Sequence, residues 1–219
     1  TKFMDYTRMT YVVMEEVVQL RRLLGVATGC YTLADITLSL APQNFSVLFV
    51  AGEIVKRFYL TIGFTALCGI TLLLVTSTDG WQRRLRGRWK KLHRLVFPIA
   101  LLALTHYFIQ SKIDVTNAVF AAGVFVWLAS WRLLPRRMQA RPLLFAALAA
   151  GAALATAGIE TLWYALLTGV PAARVLQANL QLAPWPRPAV WIAALFAAVA
   201  QTGAARRWTR RLRRVPIAA

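Results

Sequence analysis

Several segments of about twenty residues in this sequence contain almost no charged side chain. An α-helix of that length crosses the hydrocarbon core of a bilayer. Because a span must satisfy its own backbone hydrogen bonds, long apolar runs of this kind indicate helices. The sequence therefore predicts an all-α, polytopic membrane helical bundle of about six transmembrane helices, at residues 23–41, 58–76, 92–110, 115–134, 142–167 and 189–205.

The cationic residues favour a membrane protein over a nucleic-acid-binding one. The formal net charge is +18, yet 58% of the residues are hydrophobic. A soluble nucleic-acid-binding domain would not separate its basic clusters by long apolar spans. We therefore expect no nucleic-acid partner, and we interpret the cations as topology signals that contact membrane lipid.

Most of the 26 Lys and Arg residues fall on one side of the predicted bundle. Cytoplasmic loops carry the excess of positive charge in membrane proteins. The densest basic run is at 83–94, and another closes the chain at 206–214. The pattern predicts that both runs lie in the cytoplasm, and with them the C-terminus.

Both histidines lie on the predicted helix at 92–110, next to the basic run. An imidazole inside an apolar span is costly, so it is a functional candidate by default. His93 and His106 are thirteen residues apart, which is about 20 Å along a helix and about 140° around it. They cannot bind one small metal ion, but each offers a ligand to a different haem iron. On spacing alone a structural role stays open for both.

Two carboxylates fall within predicted spans. Asp35 lies about as far from the cytoplasmic end of its helix as His106 does, so we expect the two at similar depth. A carboxylate there faces a cavity or is paired. Glu160 is followed by Trp163 and Tyr164, an aromatic pattern of the membrane interface. We expect Glu160 near the outer headgroups, with a role in proton relay as the alternative.

Five stretches resemble one known family in their order and spacing: RRLLGV at 21–26, RFYLTIG at 57–63, VTSTDGWQRRL at 75–85, RWKKLHRLV at 88–96 and LTHYFIQSKIDV at 104–115. The family is the haem-binding membrane subunit of the periplasmic methionine-sulfoxide reductase system (MsrQ, formerly YedZ). It belongs to the ferric-reductase-like transmembrane domains. The resemblance covers residues 21–137.

The resemblance implies a b-haem electron-transfer subunit of the bacterial inner membrane, part of an oxidoreductase system rather than a self-contained enzyme. It implies quinol or a cytoplasmic reductase as the electron donor. The implied acceptor is a periplasmic molybdopterin reductase or another subunit of a membrane complex. One or two haem b groups are the implied cofactor, with a flavin or a quinone as further candidates. The family's haem-ligand histidines fall on His93, His106 and, for the third, Asp35.

Asp35 thus departs from the family at a ligand position. A carboxylate is a poor substitute for an imidazole on a low-spin haem, and burying it costs desolvation. Three outcomes stay open: His106 binds haem with a weak or absent second ligand, another residue substitutes, or the outer haem is lost. Loss of haem would leave a structural or assembly subunit of a larger membrane complex, our alternative function. A transporter using Asp35 and Glu160 is least favoured, since no inverted repeat is evident.

The chain also departs from the family at its ends. The family usually has two helices before the RRLLGV stretch. Residues 1–20 are expected to be an interfacial lead-in or the remnant of such a helix. Residues 21–137 are expected to form the ferric-reductase-like core, and residues 138–219 to add two transmembrane helices and the basic tail.

Overall fold

The structure is a computed structural model, and it describes residues 22–43, 46–112, 114–135, 138, 142–181 and 185–199. The predicted lead-in at 1–20 and the basic tail at 206–214 lie outside these residues. Every regular element in the part that is described is a helix or a 3₁₀ turn, so the all-α prediction is confirmed.

Short connections join the helices. In chain order they are α1 (Arg22–Leu40), α2 (Val47–Lys56), α3 (Phe58–Val75), α4 (Asp79–Leu85), α5 (Gly87–Leu92), α6 (Val96–Ser111), α7 (Thr116–Leu133), α8 (Pro142–Leu167), α9 (Ala172–Leu180) and α10 (Pro188–Val199). Two 3₁₀ turns follow α1 and α5, at Ala41–Gln43 and His93–Leu95.

Four helical runs in the described residues are long and apolar enough to cross a membrane: α1, α3, the run Gly87–Ser111, and Leu143–Leu167 within α8. They coincide with four of the six predicted spans. The 18-residue helix α7 occupies the predicted position at 115–134, and α10 is a shorter apolar helix. Only 6% of α1 and of α3 is buried inside the protein. Apolar side chains left exposed in this way are covered by lipid in a membrane bundle.

The chain divides into two compact units, Thr1–His106 and Tyr107–Ala219, and each is described by itself. In the first unit an ion pair joins the start of α1 to the start of α4. Its two atoms, Nη1 of Arg22 and Oδ1 of Asp79, are 2.6 Å apart. Both side chains are largely exposed, so the pair contributes little to stability.

Glycines set the close contacts of α3 with its neighbours. A Cβ added to Gly29 of α1 would lie 3.0 Å from Cδ2 of Leu74, and one added to Gly69 of α3 would lie 2.6 Å from Cγ1 of Ile99. Small residues of this kind let membrane helices approach closely. At each of these positions the glycine backbone of one helix therefore packs against a side chain of its neighbour.

Pro98 interrupts the helix predicted at 92–110. Proline has no N–H, so it cannot bond to the carbonyl of residue 94 as an α-helix would require. The backbone forms a 3₁₀ turn at His93–Leu95, and α6 begins at Val96 with the proline in its first turn. The helix therefore changes type just before the proline.

Helix α2 lies between the predicted spans at 23–41 and 58–76, where the sequence predicted no helix. This helix ends at Lys56, and α3 begins two residues later at Phe58. Glu53 holds the junction, because its carboxylate lies 2.7 Å from Nε of Arg57. A single residue, Arg57, thus separates the two helices.

In the second unit an aromatic cluster joins α7, α8 and α10. The ring of Trp127 stacks on Phe196 with centroids 4.0 Å apart, and Phe145 packs edge-on at 5.2 Å. Ile192 is fully buried beside them. Gly123 of α7 allows this approach, because a Cβ there would lie 2.9 Å from Cγ1 of Ile192. The cluster is the hydrophobic core of this unit.

Helix α9 lies between the predicted spans at 142–167 and 189–205, where the sequence predicted no helix. Val175 and Asn179 of this helix are buried, whereas Leu176 and Leu180 are exposed. Nine residues make only two and a half turns. A helix this short is marginal on its own, so the packing of its buried side stabilises it.

Candidate functional site

The contact between α3 and α6 holds the imidazole of His106. Its Nδ1 lies 2.8 Å from the backbone carbonyl oxygen of Tyr59. A carbonyl oxygen only accepts hydrogen bonds, so Nδ1 carries the proton and donates it. The lone pair of a neutral ring is then on Nε2, and this nitrogen has no hydrogen bond to a described residue. The tautomer is the one a metal-ligating histidine adopts when a carbonyl orients it.

Gly63 provides the surface on which this imidazole rests. A Cβ added there would lie 2.6 Å from Cε1 of His106 and 2.7 Å from Nδ1. The ring of Tyr59 is nearly parallel to the imidazole, with centroids 6.2 Å apart. The backbone of α3 therefore contacts the His106 ring at both residue 59 and residue 63.

Arg57 stands at the start of α3, beside this contact. The side-chain hydrogen bond to Tyr59, together with the carboxylate of Glu53, raises the pKa of the Arg57 guanidinium above its usual value. The side chain is exposed and stays positively charged at any physiological pH. A positive charge is thus present at the end of α3 nearest His106.

His93 has both ring nitrogens engaged. Nδ1 lies 3.2 Å from the carbonyl oxygen of Trp89, and Nε2 lies 3.3 Å from the hydroxyl oxygen of Ser77. The indole of Trp89 stacks on the imidazole with centroids 3.9 Å apart, and its Nε1 donates to the carbonyl of Thr76. These contacts tie α5 to the C-terminal end of α3. His93 would have to give up its bond to Ser77 to ligate a metal.

Asp35 does not join either histidine. Its side chain is exposed and its carboxylate makes no hydrogen bond or ion pair with any residue that the structure describes. It lies six residues after Gly29, the residue of α1 that contacts α3. Six residues place it about 120° around the helix from that contact. In the part of the chain that the structure describes, no hydrogen bond or ring contact joins Asp35 to His106.

The residues present fit a haem through His106. No three His, Cys, Asp or Glu side chains among the described residues come together to hold a bare metal ion. A haem iron already has four nitrogen ligands from its macrocycle, so one protein imidazole with a free Nε2 is enough to hold it. His106 meets that requirement, and His93 meets it less well.

Glu160 belongs to a polar network that was missed in the sequence. Its side chain is completely buried within the protein. Nη1 of Arg187 donates to one carboxylate oxygen at 2.9 Å, and Nδ2 of Asn179 donates to the other at 2.8 Å. The carboxylate within a span did signal that a partner exists. Which partner it has could not be read, because helix α9 was not predicted.

A cavity of about 510 Å³ opens between α7 and α10 in the same unit. Its walls are mostly apolar, and it contains no titratable side chain. The residues that line it are Thr116, Asn117, Phe120, Pro188, Trp191, Ala194 and Leu195. It offers no group for acid–base or redox chemistry.

Comparison with known proteins shows which class of membrane protein this chain is similar to. Residues 2–104 match the family described as ferric reductase like transmembrane component. The chain is a multi-pass membrane protein, and this first part of it is similar to the ferric-reductase-like transmembrane domains. The matched residues include Asp35 and His93 and end just before His106.

The chain is also similar to the protein-methionine-sulfoxide reductase heme-binding subunit MsrQ of several bacteria. It is 40% identical over 126 residues to that of Xanthomonas campestris pv. campestris (strain B100), covering 57% of each chain. It is 38% identical over 117 residues to that of Rhodospirillum rubrum, covering 52% of this chain and 56% of the relative. The predicted resemblance to the MsrQ family is confirmed.

The chain spans a little over half the length of the curated relatives it matches. No solved structure matches it. What the relatives bind and assemble with is therefore a basis for proposals about this chain.

Proposed function

We propose that this protein is a membrane electron-transfer subunit that binds haem b through His106. The observation that carries the proposal is the hydrogen bond from Nδ1 of His106 to the carbonyl of Tyr59, which leaves Nε2 available to the iron. The names of the relatives as heme-binding subunits support it. Haem supplies one-electron storage within the membrane.

The residues around His106 have separate tasks in this proposal. The imidazole binds the iron, and the carbonyl of Tyr59 fixes its tautomer and raises its basicity. His93 and Trp89 keep the α3–α4 turn against α5 through their bonds to Ser77 and Thr76. We assign one haem to His106, because the two ring nitrogens of His93 are already bonded.

We further propose that electrons cross the bacterial inner membrane from the basic side. Seven cations on α4, α5 and the following turn are exposed, and none makes an ion pair with a described residue: Arg83, Arg84, Arg86, Arg88, Lys90, Lys91 and Arg94. The positive-inside rule assigns that side, and with it the C-terminus, to the cytoplasm. Quinol or a cytoplasmic reductase is the donor, and a periplasmic molybdopterin reductase is the acceptor.

A haem-free structural or assembly subunit is the second candidate. The observation that favours it is Asp35, a carboxylate without a partner among the described residues at the position where the family carries a histidine. The exposed apolar faces of α1 and α3 would then contact other subunits of a membrane complex.

The deciding experiment uses the full chain purified in detergent from a host supplied with haem. A reduced-minus-oxidised spectrum with a pyridine haemochrome assay should give a b-type band and about one haem per chain. His106→Gly should lose the band, and added imidazole should restore it by filling the space left by the side chain. Thr105→Ala, an exposed neighbour on α6, is the matched control and should keep the band.

Two results would count against the proposal. A wild-type protein without haem would leave the haem-free subunit as the function. A His106→Gly variant with wild-type haem content and spectrum would move the haem site elsewhere.

A further inference from the structure

Gly63 has a different kind of neighbour from Gly69, the other glycine of α3 at a close helix contact. Three atoms of the His106 imidazole lie within 3.0 Å of where its Cβ would be, namely Cε1, Nδ1 and Nε2. At Gly69, on the same helix, the nearest atoms belong to the side chain of Ile99. One glycine thus faces a rigid ring and the other a flexible aliphatic chain.

The ring can give way to a Cβ at residue 63 only by moving away from α3. A Cβ contact under 3.0 Å requires a shift, and the imidazole is planar and held by its 2.8 Å bond to Tyr59. Moving it away from α3 lengthens that bond, and a longer bond is weak. Ile99 can avoid the corresponding clash with a Cβ at residue 69 by rotating a side-chain torsion. An alanine at 63 would therefore displace a rigid ring, whereas an alanine at 69 would only rotate a side chain.

We propose that Gly63 is a positioning residue for His106: its missing side chain lets the Tyr59 carbonyl hold the imidazole as the Nδ1–H tautomer. The effect that we infer on the haem rests on the proposed function. A bond from Nδ1–H to a carbonyl raises the basicity of Nε2. A more basic ligand favours ferric over ferrous iron. Loss of the bond raises the reduction potential and loosens the haem.

The first test does not need haem. The chain contains only two histidines, so ¹⁵N-histidine labelling of the haem-free protein gives signals from two imidazoles, and a His93→Phe variant assigns them. We expect His106 in the Nδ1–H tautomer in the wild type. Gly63→Ala should shift it towards the Nε2–H tautomer, whereas Gly69→Ala should not. A wild-type His106 in the Nε2–H form, or a tautomer that Gly63→Ala leaves unchanged, would overturn the proposal.

The second test follows the haem in the full chain. Gly63→Ala should lower the haem content several-fold or raise the reduction potential of what remains, beyond any change in Gly69→Ala. Gly52→Ala, where a Cβ meets nothing within 4 Å, controls for adding a methyl group. Equal effects at 63 and 69 would make Gly63 a packing residue only. If the tautomers behave as expected but no variant, nor the wild type, contains haem, the proposed function is wrong. The role of Gly63 in positioning His106 would still hold.

Discussion

The carboxylate of Glu160 and the guanidinium of Arg187 form an ion pair of 2.9 Å in which only one partner is sealed from solvent. The Glu160 side chain has no exposed surface, while 38% of the Arg187 side chain is exposed. A buried charge that loses its partner is penalised far more than an exposed one. The two ends of this pair should therefore respond differently to mutation.

We expect Arg187→Ala to lower the free energy of unfolding by about 3 kcal/mol, because it leaves a buried carboxylate uncompensated. Glu160→Gln should lower it by about 1 kcal/mol, because Gln still accepts from Asn179 and Arg187 turns to solvent. Unfolding of the detergent-purified protein measures both. Arg174→Ala, an exposed site on α9, is the control. Equal losses at 160 and 187 would contradict the asymmetry.

Replacement of His93 should affect stability without removing the haem. His93→Phe keeps an aromatic ring against Trp89 but loses the bonds to Ser77 and to the Trp89 carbonyl. Both bonds are long, so we expect a loss of about 1 kcal/mol. The haem-to-protein ratio, measured by pyridine haemochrome, should stay at the wild-type value. A ratio that falls would show that His93 ligates a haem after all.

Asp35→His tests the position at which the chain departs from its family. If residue 35 can reach the iron opposite His106, a second imidazole makes the haem six-coordinate and low-spin. We expect a sharper reduced band and a higher haem content than in the wild type. Asp35→Asn is the control, since it removes the charge without adding a ligand. Identical spectra of the His and Asn variants would exclude residue 35 from the iron.

Asp114 should make the stability of the second unit depend on pH. Its carboxylate accepts hydrogen bonds from the hydroxyl and the N–H of Thr116, and these bonds, with a smaller effect of Arg187, hold its pKa below the usual 3.8. A lowered folded-state pKa gives stability that is present above the usual value and is lost as pH falls through the folded value.

The comparison is between the wild type and Asp114→Asn. We expect the variant to unfold at a lower temperature at neutral pH, and the difference to shrink below pH 3.8. The effect should be small, because the carboxylate is exposed to solvent. A difference that persists unchanged at acid pH would mean that the charge of Asp114 plays no part.

The long apolar helices were predictable because one dominant property, the length of the apolar run, decides where they lie. Apolar length placed α3, α7 and α8 within a residue or two of their observed ends. The change of helix type near Pro98 also has a local cause, because the missing N–H acts on its own turn. Such features depend on the segment itself and not on what it packs against.

The partners of the polar side chains could not be predicted in the same way. The carbonyl of Tyr59 carries no sequence signature as an acceptor for His106, since every residue has one. The bond from Asn179 to Glu160 depends on helix α9, which the sequence did not predict. Both contacts depend on how helices approach one another, which the periodicity of one segment does not reveal.

The 3₁₀ turn at His93–Leu95 also changes the azimuth between the two histidines. Each residue of a 3₁₀ turn rotates the chain by about 120°, whereas each residue of an α-helix rotates it by about 100°. Over three residues the extra rotation is roughly 60°, so His93 and His106 diverge by about 80° rather than about 140°. A proline five positions after His93 thus sets the angle around the helix axis between the two imidazoles.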